Sequence, residues 1–358
     1  MRIDEFPEAA AYLAAIRRAD EGARAQCLRR WDAVAKPLHS LGLLETLAAR
    51  MAAVQRTPVP HATKKRVLVF CADNGVVAEG VSQSGCEVTA AVARALCEGT
   101  SNVNIMARVA GADVRVFDVG MANPVSAPGL TVASCARGTD NLARGPAMTP
   151  AQALFGVRAG IRAVEEAVRD GCDLLVAGEM GIGNTTSSAA VLSALLGVDP
   201  ETITGRGSGL DDAGLRRKVA AIRACLAINK PNSADALDVL AKCGGYDIAA
   251  MAGVYLAGAA NGVPVVLDGL ISCAAALLAV RLCPAAADAL LPSHMSREPA
   301  ARLALDALGL RAPIVADLAL GEGTGGVALL PLLDMALAVL NGEHSFASIG
   351  MEAYKDQT

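Results

Sequence analysis

Residues Cys172-Asp173-Leu174-Leu175-Val176-Ala177-Gly178-Glu179-Met180-Gly181-Ile182-Gly183-Asn184-Thr185-Thr186 decide how the chain is read. The run Cys172 to Ala177 is short and apolar enough for a buried parallel strand. A glycine turn follows, then the alanine- and leucine-rich run Ser187 to Leu196, a helix that Thr185 or Thr186 would cap. Strand, glycine turn and helix in that order present free backbone N–H groups and a positive helix end to an anion. A Walker loop would need lysine after Gly183, where Asn184 stands, although Thr185 keeps the hydroxyl that follows. A phosphate bound here is therefore held by backbone amides and hydroxyls. The alternative is a turn whose glycines serve tight packing alone.

The same alternation extends on both sides. Upstream, Val67 to Cys71 reads as a strand, Ala72-Asp73-Asn74-Gly75 as a turn, and Glu87 to Leu96 as a helix. Val103 to Val109 reads as a short helix, Val114 to Val119 as a strand, and Pro150 to Val168 as the long helix that feeds the opening strand. Downstream come helices over Leu215 to Ala227, Ala234 to Lys242 and Asp247 to Leu256, then a strand from Pro264 to Gly269 running into a helix over Ile271 to Leu282. This pattern predicts an α/β fold with a mostly parallel, Rossmann-like sheet, helices on both faces, and ligands at the carboxyl ends of the strands. Residues 8 to 56 carry helix-period apolar positions and predict two or three amphipathic helices closed by Pro58-Val59-Pro60; Val327 to Leu340 is again helical. The expected organisation is N-terminal helices of a small domain over 1–60, a large α/β catalytic domain over 61–330, and a C-terminal helix and tail, 331–358, returning to the small domain.

Composition narrows the function. The 358 residues are 53% hydrophobic and mean hydropathy is +0.40, yet the apolar runs break too early for a membrane span. Ile248 to Leu267 is interrupted by Asn261, Gly262 and Pro264, and Ile271 to Val280 is half the ~20 residues a span needs. A net charge of −4 with only 3% aromatic residues leaves no basic, aromatic-laced stripe for nucleic acid. Ten cysteines without a C-x-x-C pair read as reduced thiols of a cytoplasmic protein. His39, His61, His294 and His344 stand far apart, so neither a metal nor a cofactor site is expected.

Four turns follow strands or apolar runs: Asp73-Asn74-Gly75, Gly178 to Thr186, Asp268-Gly269 and Gly321-Glu322-Gly323-Thr324-Gly325-Gly326. Together they predict one pocket lined by amides and a few carboxylates. A dinucleotide fold would need G-x-G-x-x-G after the first strand, where Ala72-Asp73-Asn74-Gly75-Val76-Val77 stands instead. Asp211-Asp212 reads either as paired acids for sugar hydroxyls and magnesium or as a helix cap at Asp211. Glu322, between glycines, is free to project into a cleft as a general base; the other reading makes it a cap for a helix starting near Gly325.

The loop Gly178 to Thr186, Gly205-Arg-Gly-Ser-Gly-Leu-Asp-Asp-Ala-Gly214 with Arg217-Lys218, Asn141 to Met148, Asp268-Gly269, Ser293-His294 and Leu320 to Gly325 occur in order and at fitting spacing. Over residues 66 to 335 the chain resembles the nicotinate-nucleotide:dimethylbenzimidazole phosphoribosyltransferase family of cobalamin synthesis. The resemblance implies transfer of phosphoribosyl from nicotinate mononucleotide to an aromatic base acceptor, giving an α-ribotide and nicotinate, usually by a homodimer. It also implies roles. Glu322 matches the catalytic base; Glu179, Met180, Gly181, Gly183, Asn184 and Thr185 match the nucleotide-binding loop; Lys218 matches a ligand-binding lysine. Ser293, Gly321 and Gly323 are further expected substrate contacts, and Ser82 and Cys86 belong to the acceptor segment. Family members commonly read Ser-Ala-Tyr-Pro-Gln-Glu-Val-Thr there, against Ser82-Gln83-Ser84-Gly85-Cys86-Glu87-Val88-Thr89 here, and Asn74 stands where histidine is frequent. Two alternatives stay open: a paralogue acting on phenolic or purine acceptors, as a heterodimer with a partner subunit, and a non-catalytic nucleotide-binding subunit.

Overall fold

Strand β1, Lys65–Ala72, is buried at every position, so apolar neighbours must cover both of its faces. Its side chains alternate between them. Leu68, Phe70 and Ala72 join one core cluster, and Val67, Val69 and Cys71 join the other. The two charged residues at its start are neutralised by acids: Lys65 pairs with Asp334, and Arg66 reaches Asp113 at 2.8 Å and Asp170 at 2.6 Å.

The structure, a computed structural model, describes residues 5–355. Around β1 the chain forms α1 (Pro7–Ala14), α2 (Glu21–Ala33) and α3 (Leu43–Gln55) before it, then α4 (Glu87–Glu98), α5 (Asn102–Val109), β2 (Ala112–Gly120) and β3 (Leu130–Val132). There follow α6 (Pro150–Arg169), β4 (Leu174–Met180), α7 (Asn184–Leu196), α8 (Pro200–Ile203), α9 (Asp212–Asn229), α10 (Ala236–Cys243) and α11 (Tyr246–Asn261). The last elements are β5 (Val265–Val266), α12 (Leu270–Leu282), β6 (Leu290–Leu291), α13 (Ala300–Ala307) and α14 (Thr324–Leu340). The strands make one sheet in the order β3-β2-β1-β4-β5-β6, parallel at every pairing. Helices α6, α7 and α10 to α12 cover one face; α2 to α5 and α14 cover the other. The expected Rossmann-like α/β architecture is therefore the one observed. Its strand order reverses between β1 and β4, which opens a crevice at their carboxyl ends.

Three local expectations are corrected. The strand of the opening stretch does not stop at Ala177; β4 continues to Met180, with Glu179 opposite Phe70 of β1. Neither Thr185 nor Thr186 caps α7, because the cap is Gly183 at φ 91°. A Cβ at Gly183 would lie 2.9 Å from Val77 Cγ2 and 3.1 Å from Asn74 Cβ, so the turn sits directly on the loop after β1. The expected strand from Pro264 to Gly269 shortens to Val265–Val266, since Asp268 turns away to meet the start of α14.

Segments from both chain ends meet on the second face. The Arg30 guanidinium of α2 donates to Pro58 O at 2.6 Å and to Asn341 Oδ1 at 3.0 Å, Asn341 donates to Pro60 O at 3.2 Å, and Val34 forms a bridge with Ser345. Helix α14 thus runs from the glycine turn at Glu322 outward to the N-terminal helices.

Candidate active site

A cleft of about 230 Å³ lies at the carboxyl ends of β4 and β5, beside the crevice that the strand order opens between β1 and β4. Its lining comes from Val81-Ser82, from Glu179 to Thr185, from Gly207-Ser208, from Asp268 to Ser272, from His294, Ser296 and Glu298, and from Leu318 to Glu322. Three of the four turns picked out by pattern therefore border one cavity. The fourth, Asp73-Asn74-Gly75, supports it from behind: Asn74 Nδ2 donates to Ile182 O at 3.3 Å and Asn74 Oδ1 accepts from Ser187 Oγ at 2.8 Å.

One part of the cleft brings the start of α7 together with a buried lysine. At the start of α7, Asn184 N donates to Gly181 O at 3.4 Å and Thr186 N to Gly183 O at 2.9 Å, which leaves Thr185 N as the leading amide with no carbonyl partner among the described residues, and the helix end carries partial positive charge. Behind them the buried Lys218 of α9 donates to Thr185 Oγ1 at 2.8 Å and to Gly205 O at 3.1 Å. It has no ion-pair partner among the described residues, and burial pushes its pKa down to about 8. An anion near Thr185 would restore the charge that burial disfavours.

Carboxylates crowd the other part. Glu322 is buried and adopts a left-handed φ of 61°, between Gly321 at 92° and Gly323 at 90°. Its N–H donates to Glu179 O at 3.1 Å, and its Oε2 accepts from Val103 N at 3.2 Å, at the start of α5. So Glu322 does not cap α14; it fixes its carboxylate on a different helix. The turn presses on β4 so closely that a Cβ at Gly178 would fall 2.5 Å from Glu322 O. Asp268 receives Gly323 N at 3.1 Å and Gly326 N at 3.0 Å. The Asn184 amide donates both to Glu179 and, at 3.0 Å, to Asp247. Burial, with Asp247 and Asp268 nearby, pushes the Glu179 carboxyl up to about 8. Burial likewise pushes Asp247 up to about 6, while the Asn184 amide pulls the other way.

Of the expected site residues, Ser82, Glu179, Met180, Gly181, Gly183, Asn184, Thr185, Gly321 and Glu322 line the cleft. Lys218 stands one hydrogen bond behind it, and Ser293 stands behind His294, with Ser293 Oγ 3.0 Å from Nδ1. Gly323 serves the turn through its N–H rather than the wall. Cys86 is not brought to the lining; burial and the neighbouring Asp73 push its thiol up to about 11. Asp211 accepts from Gly214 N at 2.6 Å as the cap of α9 and Asp212 pairs with Arg206, which settles that pair as structural. Sequence reading passed over Asp247, His294, Ser296 and Glu298 as site residues. Asp247 had a signal, an acid set between Gly244-Gly245 and a long apolar run, and His294 had one in the Ser293-His294 pair; Ser296 and Glu298 had none.

The chain matches the model of a family described as "Phosphoribosyltransferase" over residues 16–351. It is 43% identical over 341 residues to a nicotinate-nucleotide–dimethylbenzimidazole phosphoribosyltransferase of Desulforamulus reducens, covering 95% of this chain and 97% of that protein. A protein of the same name from Geobacter sulfurreducens is 44% identical over 328 residues, 91% of this chain and 93% of its own. Among solved structures, that of CobT from Thermus thermophilus superposes with a TM-score of 0.88 at 43% identity, over 93% of this chain and 100% of that one.

Proposed function

The chain belongs to the nicotinate-nucleotide–dimethylbenzimidazole phosphoribosyltransferase family, and from that premise we propose how its cleft divides the work of the reaction. The enzyme transfers phosphoribosyl from nicotinate mononucleotide to dimethylbenzimidazole or a related base, which gives an α-ribotide and nicotinate for cobalamin assembly. The 5′-phosphate rests on the first turn of α7, Gly181 to Thr185, with Lys218 behind the Thr185 hydroxyl. The ribose and its cationic pyridinium face Glu179 and Glu322, while both Asp268 oxygens are taken up by the turn that carries Glu322. Cleavage of the C1′–N bond releases neutral-ring nicotinate and leaves positive charge on the sugar, which these carboxyl groups stabilise. The unprotonated ring nitrogen of the acceptor attacks C1′ from the opposite face while Glu322 takes the proton from the other ring nitrogen. Because the donor carries its own cationic leaving group, no step calls for a metal or cofactor.

The observation that carries this reading is the division of the cleft: a helix N-terminus backed by a buried lysine, and a carboxylate cluster ending in the fixed Glu322. Ser82, on the lining, is the acceptor-side residue of the pair expected from sequence. We also propose a homodimer working in the cytoplasm. Exposed Ile105 and Val109 on α5 and Met335 and Val339 on α14 supply apolar surface for the first, and ten free thiols suit a reducing compartment. Purified protein with nicotinate mononucleotide and dimethylbenzimidazole, benzimidazole, adenine, phenol or p-cresol tests the activity. Nicotinate and an α-ribotide are expected with dimethylbenzimidazole; release of nicotinate with none of the five would overturn the reading.

A further inference from the structure

Glu322 holds a left-handed backbone conformation that L-residues other than asparagine and aspartate rarely adopt, and the strain must be held by its surroundings. Its own hydrogen bonds are two, to Glu179 O and from Val103 N. Thr324 closes the turn, its N and Oγ1 donating to Gly321 O at 3.0 and 2.8 Å, and Asp268 ties it from outside, its Oδ2 and Oδ1 taking the N–H groups of Gly323 and Gly326 on the far side of the base. Asp268 is in turn fixed. Its N–H donates to Ser272 Oγ at 2.8 Å, Ser272 bonds the buried Tyr255 hydroxyl, and His294 packs so near that a Cβ at Gly325 would meet its ring at 2.1 Å.

We propose that Asp268 is a positioning residue for the phosphoribosyl transfer: its carboxylate clamps the Gly321 to Gly326 turn and so holds Glu322 at the wall of the cleft. The proposal rests on the reading of Glu322 as the base. An ordinary helix cap would make the same two bonds, but its loss would lower stability without acting through Glu322. A clamp on the base changes the chemical step, spares the donor's phosphate site some distance along the cleft, and has nothing left to do once the base is gone.

The test uses the full-length chain. Asp268→Asn keeps the volume but replaces one acceptor oxygen with an NH2 group that cannot accept from Gly323 or Gly326. The expected kcat is lower by roughly 10- to 100-fold, the scale of a misplacement near 1 Å. Calorimetric affinity for nicotinate mononucleotide should stay within about threefold of the parent, as for an interaction made only in the transition state. In a Glu322→Gln background the same substitution should lower kcat by less than about threefold, because residues acting as a unit are non-additive. A parental kcat in Asp268→Asn, donor binding that weakens in step with kcat, or losses that multiply in the double variant would each overturn the proposal. Should Glu322→Gln alone keep its kcat, the base assignment falls while the clamp is still read by amide exchange at Gly323 and Gly326. Faster exchange in Asp268→Asn is expected there, and unchanged exchange refutes the clamp. If the asparagine variant does not fold, Asp268→Ser, which keeps a capping hydroxyl at shorter reach, is judged by the same criteria.

Discussion

Replacing Glu322 by glutamine keeps the volume of the side chain, the Val103 N–H contact to its oxygen and both backbone bonds of the turn, and removes the negative charge and the ability to take a proton. The expected result is a kcat lower by roughly 10²-fold or more with donor affinity retained, measured by steady-state kinetics and calorimetry. An unchanged kcat would reduce Glu322 to an anchor for the start of α5. The candidacy of this side chain was legible because glycines flank it, a pattern that reads as a turn wherever it occurs. What it touches was not legible. Val103 is 219 positions away, and only the closure of the sheet brings α5 beneath the turn. Asp247 and Asp268 illustrate the same limit from the other direction: each reads locally as an acid at a helix start, and its meaning comes from Asn184 or Gly323 delivered by another part of the chain.

Helices α6 and α11 cross at a distance that only glycine permits. A Cβ at Gly160 would lie 1.8 Å from Ala250 O, and one at Gly253 would lie 2.0 Å from Val157 O. Gly253→Ala should therefore destabilise the protein by about 1–3 kcal/mol through overpacking against backbone that cannot yield, outweighing the ~1 kcal/mol of helix propensity that alanine adds. Thermal or urea unfolding checks it, and a stabilised variant would mean the crossing is looser than these distances imply. Both helices were readable from their apolar runs, and the glycines inside them were the one trace of the crossing. Ends were harder. Strand β4 outran its apolar run because Gly178-Glu179-Met180 pairs with Val69, Phe70 and Cys71 despite its turn-like composition. Likewise α7 takes its cap from a left-handed glycine where hydroxyls stood ready, since Val77 and Asn74 leave no space for anything larger.

Alternation of strands and helices made the parallel sheet legible, but not the order β3-β2-β1-β4-β5-β6, because pairing between strands a hundred residues apart leaves no local mark. That order gathers carboxyl groups from β4, α11 and the loop after β5 into one buried cluster, and the folded state answers by keeping protons on them. Glu179 rises from 4.5 to about 8 and Asp247 from 3.8 to about 6, both chiefly by burial. A raised carboxyl binds more protons folded than unfolded, so its contribution is complete below the unfolded pKa and is lost as pH climbs through the folded one. Burial lowers the pKa of His294 below 6.5, which works the opposite way but only up to that pH. Lys218, lowered from 10.5 to about 8, also opposes the trend, chiefly above pH 8. Between pH 6.5 and 8 the Glu179 contribution stands clear, and Tm of the unliganded protein should fall across it. With the donor's pyridinium beside Glu179, as we propose, the ionised carboxyl is favoured, so nicotinate mononucleotide should raise Tm more at pH 8 than at pH 6.5. Its binding near neutral pH should release a proton, seen as a heat that depends on the ionisation enthalpy of the buffer. A flat or rising Tm over that window, together with buffer-independent heats, would place the Glu179 proton elsewhere and separate the carboxylate cluster from the donor's charge.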